Sequence, residues 1–140
     1  MVTQYVVLYG DPVEGNPTSR MQNAAFEAVG LDWRYLDIRV RADDLGAAMT
    51  AARLLGFGGL NLTVPHKVSV IPMLDALEPS ADISGACNTV VRQPDGRLIG
   101  SNTDGSGFLW SLRDEGIDPA GLDVVLLGAG GAARAVSVEL

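Results

Sequence analysis

The chain has 140 residues, 47% of them hydrophobic, and its 10 basic and 17 acidic side chains give a formal net charge of −7. This length and apolar content suffice to bury the core of a globular protein. The acidic balance excludes a basic surface for nucleic acids or anionic membranes, and the single cysteine, Cys87, excludes an internal disulfide.

The amino-terminal stretch MVTQYVVLYGD has neither the basic region nor the cleavage site of a signal peptide. No apolar run approaches the roughly 18 residues that a membrane helix needs. We therefore expect a cytoplasmic protein without a membrane or nucleic-acid partner.

In the first half of the chain, short β-rich runs alternate with helical patterns. Strands are predicted over 4–10, 33–40 and 59–64, and helices over 18–30, 42–56 and 68–77. Thr18 or Ser19 is the expected N-cap of the first helix, and Gly30 is its expected C-cap. Pro72 is expected to interrupt or shift the third helix. This alternation favours an α/β fold with a mostly parallel sheet.

The second half begins with a hairpin, because Asp95-Gly96 is a strong turn signal between two β-rich runs. A helix over 105–116 follows, and 122–140 is interpreted as a buried strand, a glycine-rich turn and the start of a helix. One strand and one helix cannot bury their own faces. We therefore expect the sequence to be the front part of a longer protein.

The segment GLNLTVPHK (59–67) combines a strand pattern with a polar face. Leu60, Leu62 and Val64 share one face, whereas Asn61 and Thr63 point to the other. Pro65 cannot donate to a sheet ladder, so the strand ends there or lies at an edge, and it delivers Lys67 at its end. Amide, hydroxyl and ammonium groups in this order predict the wall of a polar site.

Two further segments, GACNTVV (85–91) and GSNTDGSG (100–107), place asparagine and threonine beside small residues. Taken singly, Asn88, Asn102 and Asp104 are turn or cap residues, and Asp104 is a good N-cap for the helix that follows it. Taken together with the polar face of 59–67, they belong at strand ends, where open α/β sheets bind ligands.

Lys67 and Asp104 carry the strongest chemical signal. An ammonium and a carboxylate that are partly withdrawn from water can pass a proton to and from a substrate hydroxyl. The alternative is an ordinary surface lysine and a helix cap. His66 is the only histidine, and without a second histidine or a cysteine near it a metal site is not expected.

The stretch LLGAGGAARA (126–135) has the G-x-G-x-x-A spacing of a dinucleotide-binding turn between an apolar strand and a helix. Gly128 permits the tight turn, Gly130 allows the backbone to approach a pyrophosphate, and Ala133 allows close packing of the helix on the strand. The alternative is a glycine-rich turn without a ligand. The residue that would choose between NAD and NADP is expected about 20 residues further along the chain.

In this order, GLNLTVPHK, GACNTVV…DGRLIGSNTDGSG and VVLLGAGGAARA resemble shikimate dehydrogenase and its quinate/shikimate relatives. The resemblance implies reversible, NADP-dependent reduction of 3-dehydroshikimate, with NAD as a possible alternative cofactor, by a monomer or homodimer. It also implies a substrate-binding α/β domain over 1–103, and a linker helix with the first βα unit of a Rossmann domain over 104–140.

The resemblance assigns roles residue by residue. Lys67 and Asp104 would be the catalytic acid/base pair. The small-molecule substrate would be bound by Asn16, Thr18, Asn61, Thr63, Asn88 and Asp104. The cofactor would be bound by Gly128, Ala129, Gly130, Gly131 and Ala132.

One departure from the family pattern concerns the substrate carboxylate. The family has two serines in a Ser-x-Ser-Pro pattern, and here Asn16 and Thr18 take their places, with Ser19 in place of the proline. The asparagine amide and the threonine hydroxyl can still donate to a carboxylate. The change favours a broader or shifted substrate, such as that of a quinate or aminoshikimate dehydrogenase. If the chain ends at 140, the alternative is a non-catalytic module that binds a ring acid.

Overall fold

The computed structural model describes residues 3–140, and its centre is one six-stranded sheet. The strands are β1 (Gln4–Gly10), β2 (Trp33–Arg39), β3 (Gly59–Leu62), β4 (Ala76–Leu77), β5 (Thr89–Arg92) and β6 (Leu98–Ser101). Across the sheet their order is β2-β1-β3-β5-β6-β4. The pairs β1–β2, β1–β3 and β4–β6 are parallel, and β3–β5 and β5–β6 are antiparallel. The predicted α/β fold with a mostly parallel sheet is confirmed.

Six helices connect and cover these strands in the described part of the chain. They are α1 (Thr18–Ala28), α2 (Leu45–Leu55), α3 (His66–Ser69), α4 (Pro79–Ser84), α5 (Asp104–Asp114) and α6 (Gly131–Glu139). Short 3-10 turns at Ala42–Asp44 and Ile71–Met73 precede α2 and follow α3. The predicted hairpin is the β5–β6 pair, and α5 ends before Gly116 as expected.

The core lies on the sheet and under α2. Val7, Leu60 and Leu98 come from three different strands and are at most 1% exposed. Leu45 and Met49 belong to the same buried cluster and bring in one side of α2. Burial of side chains of this size stabilises a fold by about 1.5–3 kcal/mol each. The sheet therefore forms a rigid base for residues at the ends of its strands.

The prediction of a helix over 68–77 is wrong, although the helical turn does stop just before Pro72. The chain instead forms the single turn α3, a 3-10 turn that contains Pro72, and the two-residue strand β4. Proline has no N–H to continue an α-helical ladder, and it disfavours helical geometry in the residue before it. The helix α4, which begins with Pro79 at its first turn, was not predicted because six residues give too little periodicity.

The expected N-cap of the first helix is wrong, whereas Gly30 ends this helix as expected. Pro17 occupies the N-cap position, and Thr18 is the first helical residue. Ser19 Oγ donates to Asp37 Oδ2 at 2.6 Å rather than capping the helix. At the other end the C-cap is Val29, and the left-handed Gly30, with a φ of 71°, follows it.

Two expectations about strand residues differ from the structure. β3 ends at Leu62, and Val64 is 66% exposed, so Val64 does not continue the buried face of the strand. No strand forms within 122–127, where Val125 and Leu127 are 85% and 92% exposed. An extended segment becomes a strand only when a neighbour completes its hydrogen-bond ladder, and no described strand lies beside this one.

Candidate functional site

The polar residues of the predicted site meet at one edge of the sheet. Asn61 lies in β3, Asn88 directly precedes β5, and Asp104 follows β6. β5 runs antiparallel to β3 with Thr89 opposite Asn61, and β6 runs antiparallel to β5 with Ser101 opposite Thr89. The start of β5 and the end of β6 therefore lie beside the carboxyl end of β3.

Lys67 and Asp104 form an ion pair at this edge. Lys67 Nζ donates to Asp104 Oδ2 at 2.7 Å, and the two side chains are 19% and 27% exposed. A charged hydrogen bond of this length in a partly desolvated site is stronger than an ion pair on an open surface. The pair can present a proton donor and a carboxylate to one bound oxygen atom.

The backbone of Lys67 is fixed by two hydrogen bonds, one made by the His66 side chain and one by the Lys67 carbonyl. His66, which precedes it, is fully buried, and its Nε2–H donates to the Val40 carbonyl at 2.7 Å. The Lys67 carbonyl accepts the N–H of Cys87 at 2.7 Å. Since both ends of this short turn are tied to the core, only the lysine side chain is free to extend toward the edge of the sheet.

The Asp104 carboxylate does not cap α5, so that interpretation is wrong. Thr103 occupies the N-cap position without a capping side-chain bond. Asn88 Nδ2 donates to Asp104 Oδ1 at 2.8 Å, and the Asp104 N–H donates to Asn102 Oδ1 at 3.0 Å. Asn102 is buried and donates to the Ala86 carbonyl at 2.9 Å. These bonds hold the backbone and the carboxylate of Asp104 in one orientation.

Asn61 and Asn88 are linked through the threonines that follow in the same motifs. Asn61 Nδ2 donates to Thr89 Oγ1 at 3.1 Å, and Thr89 Oγ1 donates to Asn88 Oδ1 at 2.9 Å. The Thr103 N–H donates to the same Asn88 oxygen at 3.0 Å. A half-buried amide is costly to leave unpaired, and here both amides are oriented by protein groups alone.

The network opens into a cavity of about 210 Å³, which we call the strand-end cavity. It is lined by Leu8, Asn16, Thr18, Gln22, Asn61, Leu62, Thr63, Lys67, Asn88 and Asp104. All the residues predicted to be catalytic or to bind substrate are therefore brought together around one space. A larger groove of about 740 Å³ between α1 and β2 contains none of them.

The side of the strand-end cavity formed by α1 differs from the side formed by the strands. Asn16 Oδ1 accepts the N–H of Thr18 at 2.9 Å, which leaves the Asn16 amide hydrogens for a ligand. Thr18 Oγ1 and the Gln22 amide make no hydrogen bond within residues 3–140, and both groups line the cavity. Three neutral donors are thus available on this side, whereas most polar groups on the strand side are hydrogen-bonded to one another.

The glycine-rich turn forms a second cavity of about 450 Å³, the glycine-turn cavity, on the other side of Lys67. Its lining consists of Val64, Pro65, Lys67, Val68, Leu127, Gly128, Gly130, Gly131, Ala132 and Ala133. Of the predicted cofactor residues, only Ala129 is absent from this lining. A Cβ on Gly131 would lie 3.3 Å from Lys67 Cβ, so the turn contacts the lysine directly.

The glycine-turn cavity suits a phosphate-bearing cofactor with a flat apolar part. Arg134 makes the first backbone bond of α6, to the Gly130 carbonyl, which leaves the preceding N–H groups of the helix without an intrahelical acceptor. A helix start of this kind favours an anion. The residues that line the cavity include no carboxylate, and Val64, Val68 and Leu127 supply its apolar surface.

Other kinds of site find little support among residues 3–140. Within that range no three His, Cys, Asp or Glu side chains converge as a metal site would require. Burial raises the pKa of the Cys87 thiol, which keeps it protonated rather than nucleophilic. No helix over these residues has both the length and the apolar content to cross a membrane.

Sequence reasoning missed four residues of the site. Thr89 and Thr103 each follow an asparagine of the predicted site, and this repeated Asn-Thr pair was a usable signal. Gln22 lies one helical turn after Thr18, so the amphipathic spacing of α1 could have indicated it. Tyr35, whose hydroxyl donates to Asn61 Oδ1 at 2.7 Å, left no signal because the contact depends on the order of the strands.

The model of the shikimate dehydrogenase substrate binding domain matches residues 8–90. A shikimate dehydrogenase (NADP(+)) of Moorella thermoacetica is 52% identical over 138 residues, which are 99% of this chain and 46% of that protein. Shikimate 5-dehydrogenase from Thermus thermophilus, solved in complex with shikimate, has a TM-score of 0.90 and 38% identity, with 97% of this chain and 51% of that one covered.

A third similar protein has a different name. Ligand-free 5-ketofructose reductase of Gluconobacter sp. strain CHM43 is 43% identical with a TM-score of 0.89, over 99% of this chain and 50% of that chain. The chain thus spans about half the length of the relatives it matches. The match over 8–90 covers more than half of the described residues, and the motifs of the strand-end cavity lie in it or follow it closely. The chain therefore belongs to the shikimate dehydrogenase family.

Proposed function

We propose that this chain provides the substrate-binding part, and the opening of the cofactor-binding part, of an NADP-dependent enzyme that reduces 3-dehydroshikimate to shikimate. The division would follow the boundary at 103, with the strand-end cavity holding the ring acid and 104–140 leading into the nucleotide domain. The observation that carries the proposal is the 2.7 Å pair of Lys67 and Asp104 between the two cavities.

The chemistry follows from what borders that pair. When bound, the reduced nicotinamide of NADP supplies a hydride to the ring carbonyl carbon. Lys67 Nζ–H donates its proton to the oxygen of that carbonyl, which becomes the alcohol. Asp104 holds Lys67 in place through one oxygen, and Asn88 orients the carboxylate through the other. In the reverse direction the same nitrogen accepts the alcohol proton.

The remaining residues of the strand-end cavity would bind and orient the substrate. Asn16 and Thr18 offer donors to the carboxylate, and Asn61 and Thr63 face the ring hydroxyls. A site that satisfies several hydroxyls rejects analogues without them, because its own polar groups would be left unpaired. The backbone at Gly128, Gly130 and Gly131 would approach the cofactor phosphates.

The decisive experiment is turnover by the full-length protein. NADPH oxidation, followed by absorbance with 3-dehydroshikimate as the second substrate, should be saturable and stereospecific, and shikimate with NADP should run it backwards. Absence of turnover in both directions, in a folded preparation, would refute the proposal.

Binding to the 140-residue chain gives an independent test. Lys67 is the only lysine in the sequence, so reductive methylation labels that side chain and the amino terminus alone. Shikimate should slow methylation of Lys67 and leave the amino terminus unaffected. Equal rates with and without shikimate would mean that the ligand does not occupy the strand-end cavity.

A second candidate function is reduction of a related polyhydroxy ketone. Two observations favour it: Asn16 and Thr18 replace the serines of the family pattern, and one similar protein is a 5-ketofructose reductase. The values of kcat/KM for the ketones 3-dehydroshikimate and 5-ketofructose should be compared with NADPH as the reductant, and those for the alcohols shikimate, quinate and aminoshikimate with NADP as the oxidant. If the candidate is correct, the double substitution Asn16→Ser with Thr18→Ser shifts preference toward 3-dehydroshikimate by tenfold or more. An unchanged ranking would exclude these two residues as the cause.

A further inference from the structure

Tyr35 connects the outer edge of the sheet to the strand-end cavity. It is 3% exposed and is the only buried residue of β2. β2 is an edge strand, and β1 lies between it and β3. The Tyr35 side chain crosses β1, and its hydroxyl donates to Asn61 Oδ1 in β3 at 2.7 Å. A buried phenol that reaches across a whole strand to one amide oxygen does more than fill space.

The other bonds of Asn61 show what this contact achieves. Its Nδ2 donates to the Asn88 carbonyl and to Thr89 Oγ1, each at 3.1 Å, which uses both amide hydrogens. Its Oδ1 has two lone pairs, and Tyr35 occupies one of them. The one hydrogen-bonding position of the Asn61 side chain that remains free is therefore a lone pair of Oδ1, and Asn61 lines the cavity.

We propose that Tyr35 is a positioning residue that holds Asn61 as a hydrogen-bond acceptor for a hydroxyl of the substrate. Without the phenol, the Asn61 side chain would lose one of the three hydrogen bonds that fix its torsion, and water or a shifted substrate could take the place of the phenol. The inference rests on the proposed function for the identity of the substrate, but its structural half concerns Asn61 alone.

Two features keep Tyr35 in this role. Burial, and to a lesser extent the charge of Asp37, raise the pKa of the Tyr35 phenol, which remains a donor throughout the neutral range. The Asn23 side chain of α1 brackets the Tyr35 backbone, because Asn23 Nδ2 donates to its carbonyl at 3.0 Å and its N–H donates to Asn23 Oδ1 at 2.9 Å. The helix that forms the other side of the cavity thus also locates the phenol.

The first test compares Tyr35→Phe with Tyr9→Phe in the full-length enzyme. Tyr9 is a matched control: it is 2% exposed, and its hydroxyl donates to the Ala48 carbonyl at 3.2 Å, away from the cavity. Each change deletes one hydroxyl and keeps the ring. We expect Tyr35→Phe to raise the substrate KM about two- to tenfold, the range of one net hydrogen bond, with kcat within about twofold. Tyr9→Phe should leave KM unchanged.

A double-mutant cycle separates positioning from general stability. In the Asn61→Ala background, Tyr35→Phe should raise KM by less than about twofold. The reason is that the effect of Tyr35 depends on the Asn61 amide, which this background lacks. The proposal is overturned if Tyr35→Phe leaves KM unchanged, if it adds its full factor in the Asn61→Ala background, or if Tyr9→Phe raises KM equally.

A measurement without substrate keeps the inference independent of the proposed function. In the 140-residue chain, the side-chain amide resonances of Asn61 should shift and exchange faster with water in Tyr35→Phe, but not in Tyr9→Phe. If they do so while the full-length protein fails to turn over 3-dehydroshikimate, only the substrate assignment is wrong. If they stay unchanged, Tyr35 does not position Asn61, whatever the reaction is.

Discussion

The two cavities that share Lys67 are built in different ways. One side of the strand-end cavity is formed by residues at the ends of paired strands, where Asn61, Asn88, Lys67 and Asp104 belong to one hydrogen-bond network. The glycine-turn cavity is bounded on one side by a segment that has no ladder bonds to a strand and whose apolar residues Val125 and Leu127 are exposed. The first cavity is thus built mainly from hydrogen-bonded side chains, and the second from main chain and apolar side chains that no described strand covers.

A chain that spans half the length of its relatives can define a site made of side chains more fully than a site made of main chain. Side chains at strand ends inherit their positions from the sheet, so the 2.7 Å contact of Lys67 and Asp104 needs nothing beyond β3, β5, β6 and the turns beside them. A phosphate-binding turn uses main-chain groups, and its strand needs neighbours on both sides. We therefore expect substitutions in the two cavities to differ in their effects on kcat, KM and the free energy of unfolding.

The largest effect is expected for Lys67→Ala. Loss of the proton donor should lower kcat about 10²–10⁴-fold in the full-length enzyme, with KM for 3-dehydroshikimate changed no more than about threefold. Steady-state kinetics with NADPH in excess measures both constants.

Arg20→Ala is the matched control for that variant. It removes the same unit of charge, but Arg20 is exposed on α1 and lines the separate groove, so kcat should stay the same. If Lys67→Ala instead raised KM and spared kcat, Lys67 would be a binding residue and the acid/base assignment would be wrong.

A smaller effect is expected where α5, which begins at Asp104, packs against α6, which follows the glycine-rich turn. α6 packs against α5, and a Cβ on Gly105 would lie 2.8 Å from the carbonyl carbon of Ala135. Gly105→Ala should therefore push α6 away and lower the free energy of unfolding by about 1–3 kcal/mol. Because α6 begins at Gly131, the same change should also raise KM for NADPH.

Gly107→Ala provides the control on the same helix. A Cβ at 107 meets nothing within 4 Å, so this substitution should be neutral or should stabilise α5 by up to about 1 kcal/mol, the helix propensity difference. Urea denaturation of both variants checks the opposite signs. Equal destabilisation would mean that the contact with Ala135 does not set the position of α6.

The comparison also explains how far the sequence could predict the structure. A β-rich run indicated β1, and alternating residues indicated β2 and β3. Asn61, Asn88 and Asp104 could be indicated because they lie in or beside strands along the chain, whereas Asn16 and Thr18 were indicated by the family resemblance alone. Tyr35 escaped prediction since its partner Asn61 is two strands away, and only the sheet order shows that they meet. The strand predicted within 122–127 is absent. Its apolar sequence indicated a buried segment, but no residue of the described chain covers Val125 or Leu127.

An acid-sensitive contact is expected beside the start of β6, the strand that leads to Asp104. Arg53 Nη1 donates to Asp75 Oδ2 at 2.7 Å, and the Leu98 N–H donates to the same oxygen at 2.7 Å. The guanidinium, followed by this backbone donor, lowers the pKa of the Asp75 carboxyl below its ordinary 3.8. The ionised carboxylate therefore stabilises the folded state above that value, and the stabilisation is lost as pH falls through the lower, folded-state pKa.

Asp75→Asn keeps the acceptor and removes the charge, so it should lower the urea midpoint at neutral pH and approach the wild-type midpoint in acid. Asp95→Asn is the control, since Asp95 pairs with Arg97 at the tip of the hairpin with 54% and 61% of the two side chains exposed. Solvent and salt screen such a pair, so its effect at neutral pH should be the smaller one. A gap between Asp75→Asn and wild type that does not shrink as the pH falls below 3.8 would show that charge is not the cause.

The smallest effect is expected for Leu127→Ser in the 140-residue chain. Leu127 is 92% exposed, and a substitution at such a position changes the free energy of unfolding by no more than about 0.5 kcal/mol. Leu62, which lines the strand-end cavity and is 2% exposed, is the contrast: Leu62→Ala should cost about 2–5 kcal/mol. Two leucines that border neighbouring cavities would then differ severalfold in their contribution to stability. In the full-length protein, a strand paired along 122–127 would bury Leu127, and the cost of Leu127→Ser should rise toward that of Leu62→Ala. If the cost is already large in the 140-residue chain, the segment packs on the described sheet or helices, and the contrast between the two cavities does not hold.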